Sequence, residues 1–373
     1  MPGVLADIPK FDFPPESQKE FDYAKLETLD LSVVTGDEYE QVPESVVKTI
    51  GDAFTRDGFI YATGHGLNPE TIQRQFSIAQ YAFDGVSEED KTKYAAKILE
   101  EGDFTGYKPR GHWQLKGVRD QIEHFSLGAQ AILNPDARER VFPPALRPLV
   151  DEIAEFNKYN HDHIYRKILS VLSLVLKLPP TYLWNLAKDP EQQFDLFRYA
   201  LYHPPSPEED SKTAGVRLQG HTDFNSVSLL YSQPIVSLQV LMPDNVWRFV
   251  RHVPNALVIN LGDALHFLSG GFLKPTIHRV VAPPDPAQVP YRRIGVFYFA
   301  QFSRSVRLAP LSDSPVASST GKTFFNGGKD APTAWEWETS RVKAYGQNGA
   351  KKEIEGGHEE EAMIGGEKVV HYN

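Results

Sequence analysis

Gly220-His221-Thr222-Asp223 sets an imidazole and a carboxylate two residues apart. In an extended strand, residues i and i+2 share a face, so both side chains could offer a donor atom to one point. Two donors do not hold a metal, and a third must come from elsewhere. His278, in the strand-like run Thr276-Ile277-His278-Arg279-Val280, is the best candidate, far enough along for the chain to return on a neighbouring strand. Two histidines and one carboxylate on one face of an octahedron leave three positions open, which suits Fe(II) oxygen chemistry on a chelating substrate. The same donors suit zinc, so a zinc hydrolase is an open alternative on these residues alone.

A decoy lies upstream. His161-Asp162-His163 has the same i, i+2 spacing but falls in a helical pattern, where such residues do not share a face; it is read as solvated helix surface. His65, His112, His124, His252 and His266 are each read as ordinary hydrogen-bonded histidines. Arg293 opens the apolar, aromatic run Ile294-Gly295-Val296-Phe297-Tyr298-Phe299. Such an arginine either snorkels to solvent or pairs with an anion. Left buried and unpaired it would cost several kcal/mol, a cost that a carboxylate ligand lying along the barrel would remove.

These residues need strands to position them. From Phe194 to Phe302 the pattern is of short strands: Phe194–His203, Val227–Tyr231, Leu238–Leu241, Trp247–Val250, Ala256–Asn260, Ile277–Val281 and Arg293–Gln301. Pro, Gly, Asn and Asp punctuate them, which indicates an antiparallel sandwich or barrel. Ahead of it, Glu44 to Arg56 has helical spacing and runs into a strand-like Gly58–Ala62. Asn68-Pro69 opens a helix through about Phe83, and Ser87 opens another. A long helical pattern covers about 148–176. The class expected is mainly β with flanking α, the helices packed on one outer face of the sheet. We expect a single domain over 1–373: a mostly helical part at 17–190, a β core at 191–303, an extension at 304–345, and a Gly-, Glu- and Lys-rich mobile tail at 346–373. There is no internal repeat.

A net charge of −10 argues against nucleic acid or an anionic membrane surface as the main partner. The absence of cysteine removes disulfides, iron–sulfur clusters and thiol nucleophiles. With no basic-then-apolar leader at Met1–Phe13 and no apolar run of about 18 residues, a cytoplasmic protein is the expectation.

Several ordered segments carry a resemblance. Trp247 to Val280, with Pro254-Asn255-Ala256-Leu257-Val258-Ile259-Asn260-Leu261-Gly262-Asp263 and Ser269-Gly270-Gly271-Phe272, resembles the core of the isopenicillin N synthase-like, plant-type 2-oxoglutarate/Fe(II) dioxygenases. Asp57-Gly58-Phe59-Ile60-Tyr61 with Gly64-His65-Gly66-Leu67 looks like that family's N-terminal signature. Arg119-Asp120-Gln121-Ile122-Glu123-His124-Phe125 resembles its mid-chain acidic segment. The likeness spans roughly 45–345 and implies a double-stranded β-helix (jelly-roll) core. It also implies Fe(II) on His221, Asp223 and His278, with 2-oxoglutarate and O2 as co-substrates and Arg293 on the distal carboxylate. Tyr202 and His203 would complete the co-substrate site.

This chain departs from the family pattern twice. Arg293-Ile294-Gly295 lacks the usual serine, and Leu201-Tyr202-His203-Pro204 sets His203 where a co-substrate tyrosine is expected. Both departures keep open an oxygenase of the same fold that does not use 2-oxoglutarate, or a non-catalytic jelly-roll binder. Phe104, Tyr107, Arg110, His112 and Phe224 are the candidate substrate-pocket residues, with Gly106–Arg110 read as a lid or, equally, a simple surface loop. The wording of the core resembles a fungal branch that includes secondary-metabolism dioxygenases, some acting on aromatic polyketides.

Overall fold

The computed structural model describes residues 7–115, 117–326 and 328–345, and the backbone of 353–354, 358–364 and 367–371. In chain order its strands are β1 Thr28–Asp30, β2 Phe59–Thr63, β3 Gly106–Lys108, β4 Gln114–Leu115, β5 Val118–Arg119, β6 Ile122–Gly128, β7 Leu196–Tyr202 and β8 Val216–His221. They continue as β9 Val227–Tyr231, β10 Leu238–Leu241, β11 Trp247–Phe249, β12 Leu257–Leu261, β13 His278–Val281, β14 Arg293–Ala300, β15 Glu353–Ile354, β16 His358–Ile364 and β17 Glu367–His371.

Two sheets face each other. The larger runs β1-β2-β12-β9-β14-β7-β6-β3 and the smaller β11-β10-β13-β8. Neighbours in both are antiparallel apart from β1 with β2. The period-2 alternation of each strand divides its residues between two layers. On the large sheet, Phe197, Tyr199, Leu201, Leu229, Tyr231, Leu257, Ile259, Val296 and Tyr298 pack outward against helices. Ala200, Tyr202, Leu230, Val258 and Phe59 pack inward with Val240, Leu238 and Val280 of the small sheet. This is the jelly-roll sandwich with helices on one outer face.

The helices form where their ends are chemically marked. Glu44–Arg56 lies as read from its spacing. Asn68 caps Pro69–Asp84 by accepting from the Thr71 amide at 2.7 Å, and Ser87 caps Glu88–Lys93 by accepting from Asp90 at 3.1 Å. Among the described residues no helix is long and apolar enough to cross a membrane.

The N-terminal part, read as mostly helical with a strand at Gly58–Ala62, contributes β1, β2, β3 and β6, half of the large sheet. The structure corrects two further readings. Gly106–Lys108 is no lid: it is edge strand β3, paired to β6 with Lys108 fully buried. The long helix also changes winding. It is α-helical over Val150–Tyr159, π-helical over Asn160–Tyr165 and α-helical again over Arg166–Val175. The π turn shifts the register, so His161 is buried rather than solvated. It lies 3.0 Å from Asp195 and 3.1 Å from the Tyr298 hydroxyl. Within the segment read as a mobile tail, β15, β16 and β17 form a three-stranded antiparallel sheet.

Candidate active site

Cross-strand pairing builds the metal-binding face. Strands β13 and β8 run antiparallel with His278 directly opposite His221, their ring centroids 4.5 Å apart. Asp223 lies two residues past the end of β8, in a loop and not in the strand that its spacing suggested. That loop is held by the segment after β12: the amides of Gly262 and Asp263 donate to the carbonyls of Ser226 and Asp223 at 2.9 and 2.8 Å. Gly262 is required there, since a Cβ would meet the Asn225 carbonyl oxygen at 2.2 Å. Asp223 Oδ1 is then 3.7 Å from Nε2 of both His221 and His278. The three side chains are buried, and they form a metal-competent cluster.

The atoms around these donors decide which lone pairs are free. His221 Nδ1 is 2.8 Å from the Gln219 carbonyl, and His278 Nδ1 is 3.1 Å from the Thr276 carbonyl. A carbonyl only accepts, so each Nδ1 carries the proton and each Nε2 offers its lone pair to the common point. Asp223 Oδ2 accepts from Ser228 at 2.6 Å and from Asn260 at 2.7 Å, leaving Oδ1 toward the histidines. Burial pushes Asp223 up, but His278, His221 and these two hydrogen bonds outweigh it and keep the carboxylate ionised. Burial, then His278, lowers His221 to about 4, so it stays neutral and ready to ligate.

One cavity between the sheets joins this face to Arg293. Strands β6, β7 and β14 make its floor in matched rows: Ile122, Tyr202 and Arg293; His124, Ala200 and Gly295; Ser126, Arg198 and Phe297; then Gly128, Leu196 and Phe299. Arg293 is buried, 4.9 Å from the Tyr202 ring, and its Nη1 has no partner. Arg292, one residue away, points outward and pairs with Asp84 at 2.7 Å. The helix Ala334–Ala344 closes one wall with Glu338, followed by Tyr345, whose ring lies 5.9 Å from His221 and 5.8 Å from Phe224.

Of the candidate pocket residues, Phe104 and Phe224 line this cavity and the other three do not. Tyr107 faces the helix layer, stacked 4.4 Å from Phe125 with its hydroxyl donating to the Ala82 carbonyl. Arg110 is exposed and bound to Gln121, and His112 is exposed. His203 also lies outside: strand alternation turns it away from Tyr202, and it contacts Glu123 at 2.6 Å. Tyr202, not His203, is the aromatic residue beside Arg293. A Cβ on Gly295 would lie 2.3 Å from the Phe297 ring, so a serine at 295 would require that ring to turn aside. Residues not anticipated are Trp113, His124, Arg198, Glu338 and Tyr345.

A model of the 2OG-Fe(II) oxygenase superfamily matches residues 193–301, and one for the N-terminal region of non-haem dioxygenases in morphine synthesis matches residues 26–148. The chain belongs to the 2OG-Fe(II) oxygenase superfamily. Among relatives, a 2-oxoglutarate-dependent dioxygenase of Gibberella zeae is 25% identical over 88% of this chain and 92% of its own. The flavonol synthase/flavanone 3-hydroxylase of Petunia hybrida is 27% identical over 65% of this chain and 67% of its own. The crystal structure of a full-length Neurospora crassa protein in complex with alpha-KG and 5-formyluracil superposes with a TM-score of 0.71 at 20% identity, covering 88% of this chain and all of that one. This oxygenase has the fold of that protein, and its family match together with the His221, Asp223 and His278 cluster gives Fe(II) and 2-oxoglutarate as its cofactor and co-substrate. The donor set fits both groups: two free Nε2 atoms and one free carboxylate oxygen for iron, and an orphaned guanidinium nitrogen for a carboxylate.

Proposed function

We propose that His221, Asp223 and His278 hold Fe(II), that Arg293 and Tyr202 receive the distal carboxylate of 2-oxoglutarate, and that the protein oxidises a C–H bond of a small aromatic molecule. The observation that carries this reading is the pair of buried, unfilled valences at one cavity: Asp223 Oδ1 facing two Nε2 atoms, and Arg293 Nη1 without a partner. Phe59, Phe104, Trp113, Phe224, Phe297 and Phe299 line the space between and support a flat apolar substrate. Relatives from fungi named as 2-oxoglutarate-dependent dioxygenase or oxidoreductase support the reaction class. A fungal secondary metabolite such as an aromatic polyketide is the substrate suggested by the wording of the core.

Bound Fe(II), with 2-oxoglutarate and O2, supplies an oxidative decarboxylation to succinate and CO2 coupled to C–H oxidation. The chain's residues do the positioning. The Gln219 and Thr276 carbonyls hold the imidazole tautomers, Ser228 and Asn260 orient the Asp223 carboxylate, and Arg293 fixes the co-substrate end. The aromatic walls exclude water around the reacting atoms. Anaerobic reconstitution with Fe(II) and 2-oxoglutarate tests the assignment. The expected result is the charge-transfer absorption of the chelate, followed on admission of air by succinate. Product formed without succinate would point instead to an oxygenase that draws all four electrons from its substrate.

A further inference from the structure

Beyond the metal site and Arg293, the far end of the cavity holds buried polar atoms without partners among the described residues. Arg198 stands four residues from Tyr202 on the same face of β7, about 13 Å along a strand rising about 3.3 Å per residue. Its Nε–H donates to Ser126 Oγ at 3.0 Å, and Ser126 Oγ is 3.2 Å from His124 Nδ1. With the serine hydroxyl hydrogen donated to Nδ1, the arrangement that also uses the Ser126 donor, the proton of the neutral imidazole would sit on Nε2. That Nε2 is buried and has no partner, and neither has the indole Nε1–H of Trp113.

These groups are neighbours. The Arg198 guanidinium lies 4.5 Å over the Phe104 ring, with His124 at 5.5 Å and Trp113 at 6.3 Å from the same ring. Among the described residues no carboxylate comes within ion-pair distance of Arg198. Glu338, whose Oε2 also lacks a partner, lines the same cavity without closing onto it. If Arg198 only packed against Phe104 and Phe299, the indole N–H and the imidazole Nε2 beside it would still be buried at a loss. An acceptor group of a ligand placed at the Arg198 guanidinium would lie among these groups.

We infer that Arg198, with His124 and Trp113, recognises an acceptor oxygen (a carboxylate or a ring carbonyl) at the far end of a planar aromatic substrate, and so selects which C–H bond faces the metal. Arg198 is the specificity-determining residue and His124 its partner, oriented through Ser126. This deepens the proposed function and rests on it for the meaning of the bound pose, but not for the binding itself.

The test is calorimetric titration of the full chain, first metal-free and then anaerobically with Fe(II) and 2-oxoglutarate. The probes are 4-methylbenzoate, 4-methylacetophenone and p-xylene. At least one acceptor-bearing probe should bind about tenfold or more tighter than p-xylene, the scale of a charge-assisted hydrogen bond. The ratio of benzoate to ketone distinguishes a carboxylate site from a carbonyl site. Arg198→Met should abolish the preference, leaving p-xylene and 2-oxoglutarate binding unchanged, and Arg198→Lys should restore part of it. Equal affinity of all three probes for the wild type overturns the inference, as does a preference that survives Arg198→Met. If that variant does not fold, the wild-type ratio alone decides. A retained preference without the chelate absorption would sink the proposed function and leave this inference standing.

Discussion

At the metal end of the cavity, the outward-facing atoms of all three candidate ligands are already engaged. The two Nδ1–H groups donate to carbonyls, and Asp223 Oδ2 accepts from Ser228 and Asn260. At the far end, Trp113 Nε1, His124 Nε2 and Glu338 Oε2 are buried and engage nothing. The first end is finished by the protein around its three donor atoms. The second leaves several polar atoms unmatched, as the proposed recognition of a ligand there would require. Supporting hydrogen bonds therefore separate a preorganised centre from a recognition surface, although both are equally enclosed.

The largest expected effect comes from removing a ligand. His221→Ala, Asp223→Ala and His278→Ala should each bring turnover to background and lose Fe(II) from protein in metal-defined buffer, with the circular dichroism spectrum unchanged. Full turnover in any of the three would break the metal end of the comparison. Next is Arg293→Leu. Truncating one partner of a buried charged pair costs roughly 2–5 kcal/mol, so the KM for 2-oxoglutarate should rise by about thirtyfold or more with Fe(II) affinity little changed. Arg292→Leu is the control, since Arg292 already pairs with Asp84 on the outer face. A KM that responds to Arg292 instead would mean the strand faces the other way.

A smaller loss, about 10- to 100-fold in Fe(II) affinity, is expected for Asn260→Ala, because outer partners of metal ligands carry that much. An equal effect from His124→Phe would erase the distinction between the two ends. The smallest is a pH effect. Burial, opposed by Gln301, Arg198 and Arg341, raises Glu338 to about 7 from 4.5. Between those values the folded protein holds a proton that the unfolded chain does not, so Glu338 makes stability fall as pH rises from about 4.5 to about 7. Glu338→Gln should flatten that part of the Tm–pH curve, and a curve identical to wild type would show the carboxyl to be solvated.

Much of the metal end was legible in the residues. The pairing of His221 with His278, Arg293 against Arg292, and the strands from Val227 to Ala300 follow from period-2 spacing and punctuation, whereas Asp223 joins them from a loop that its spacing read as strand. The far end was hidden because its strand reads inside out. In Ile122–Gly128 the cavity-facing positions include His124 and Ser126, while Phe125 and Leu127 face the helices. A polar inner face over an apolar outer one does not stand out as a sheet strand. Glu338 and Tyr345 were out of reach for another reason: they arrive from a helix whose docking depends on tertiary contacts such as Arg341 with Asp263 at 3.9 Å. His161 escaped because a π turn alters the helical period that sequence reasoning assumes.

That docked helix has a consequence for how such an enzyme changes its preferences. Ala334–Ala344 contributes Glu338 to the cavity and Val342 to the packing beside Phe104 and Trp113, and Tyr345 follows at its end. It contributes no ligand to the metal cluster and no residue to the co-substrate row. A library varying only positions 338, 342 and 345 would reshape the far wall while the strands carrying the reaction stay untouched. Selection, natural or in the laboratory, has here a short, contiguous stretch of chain on which to search for new substrates.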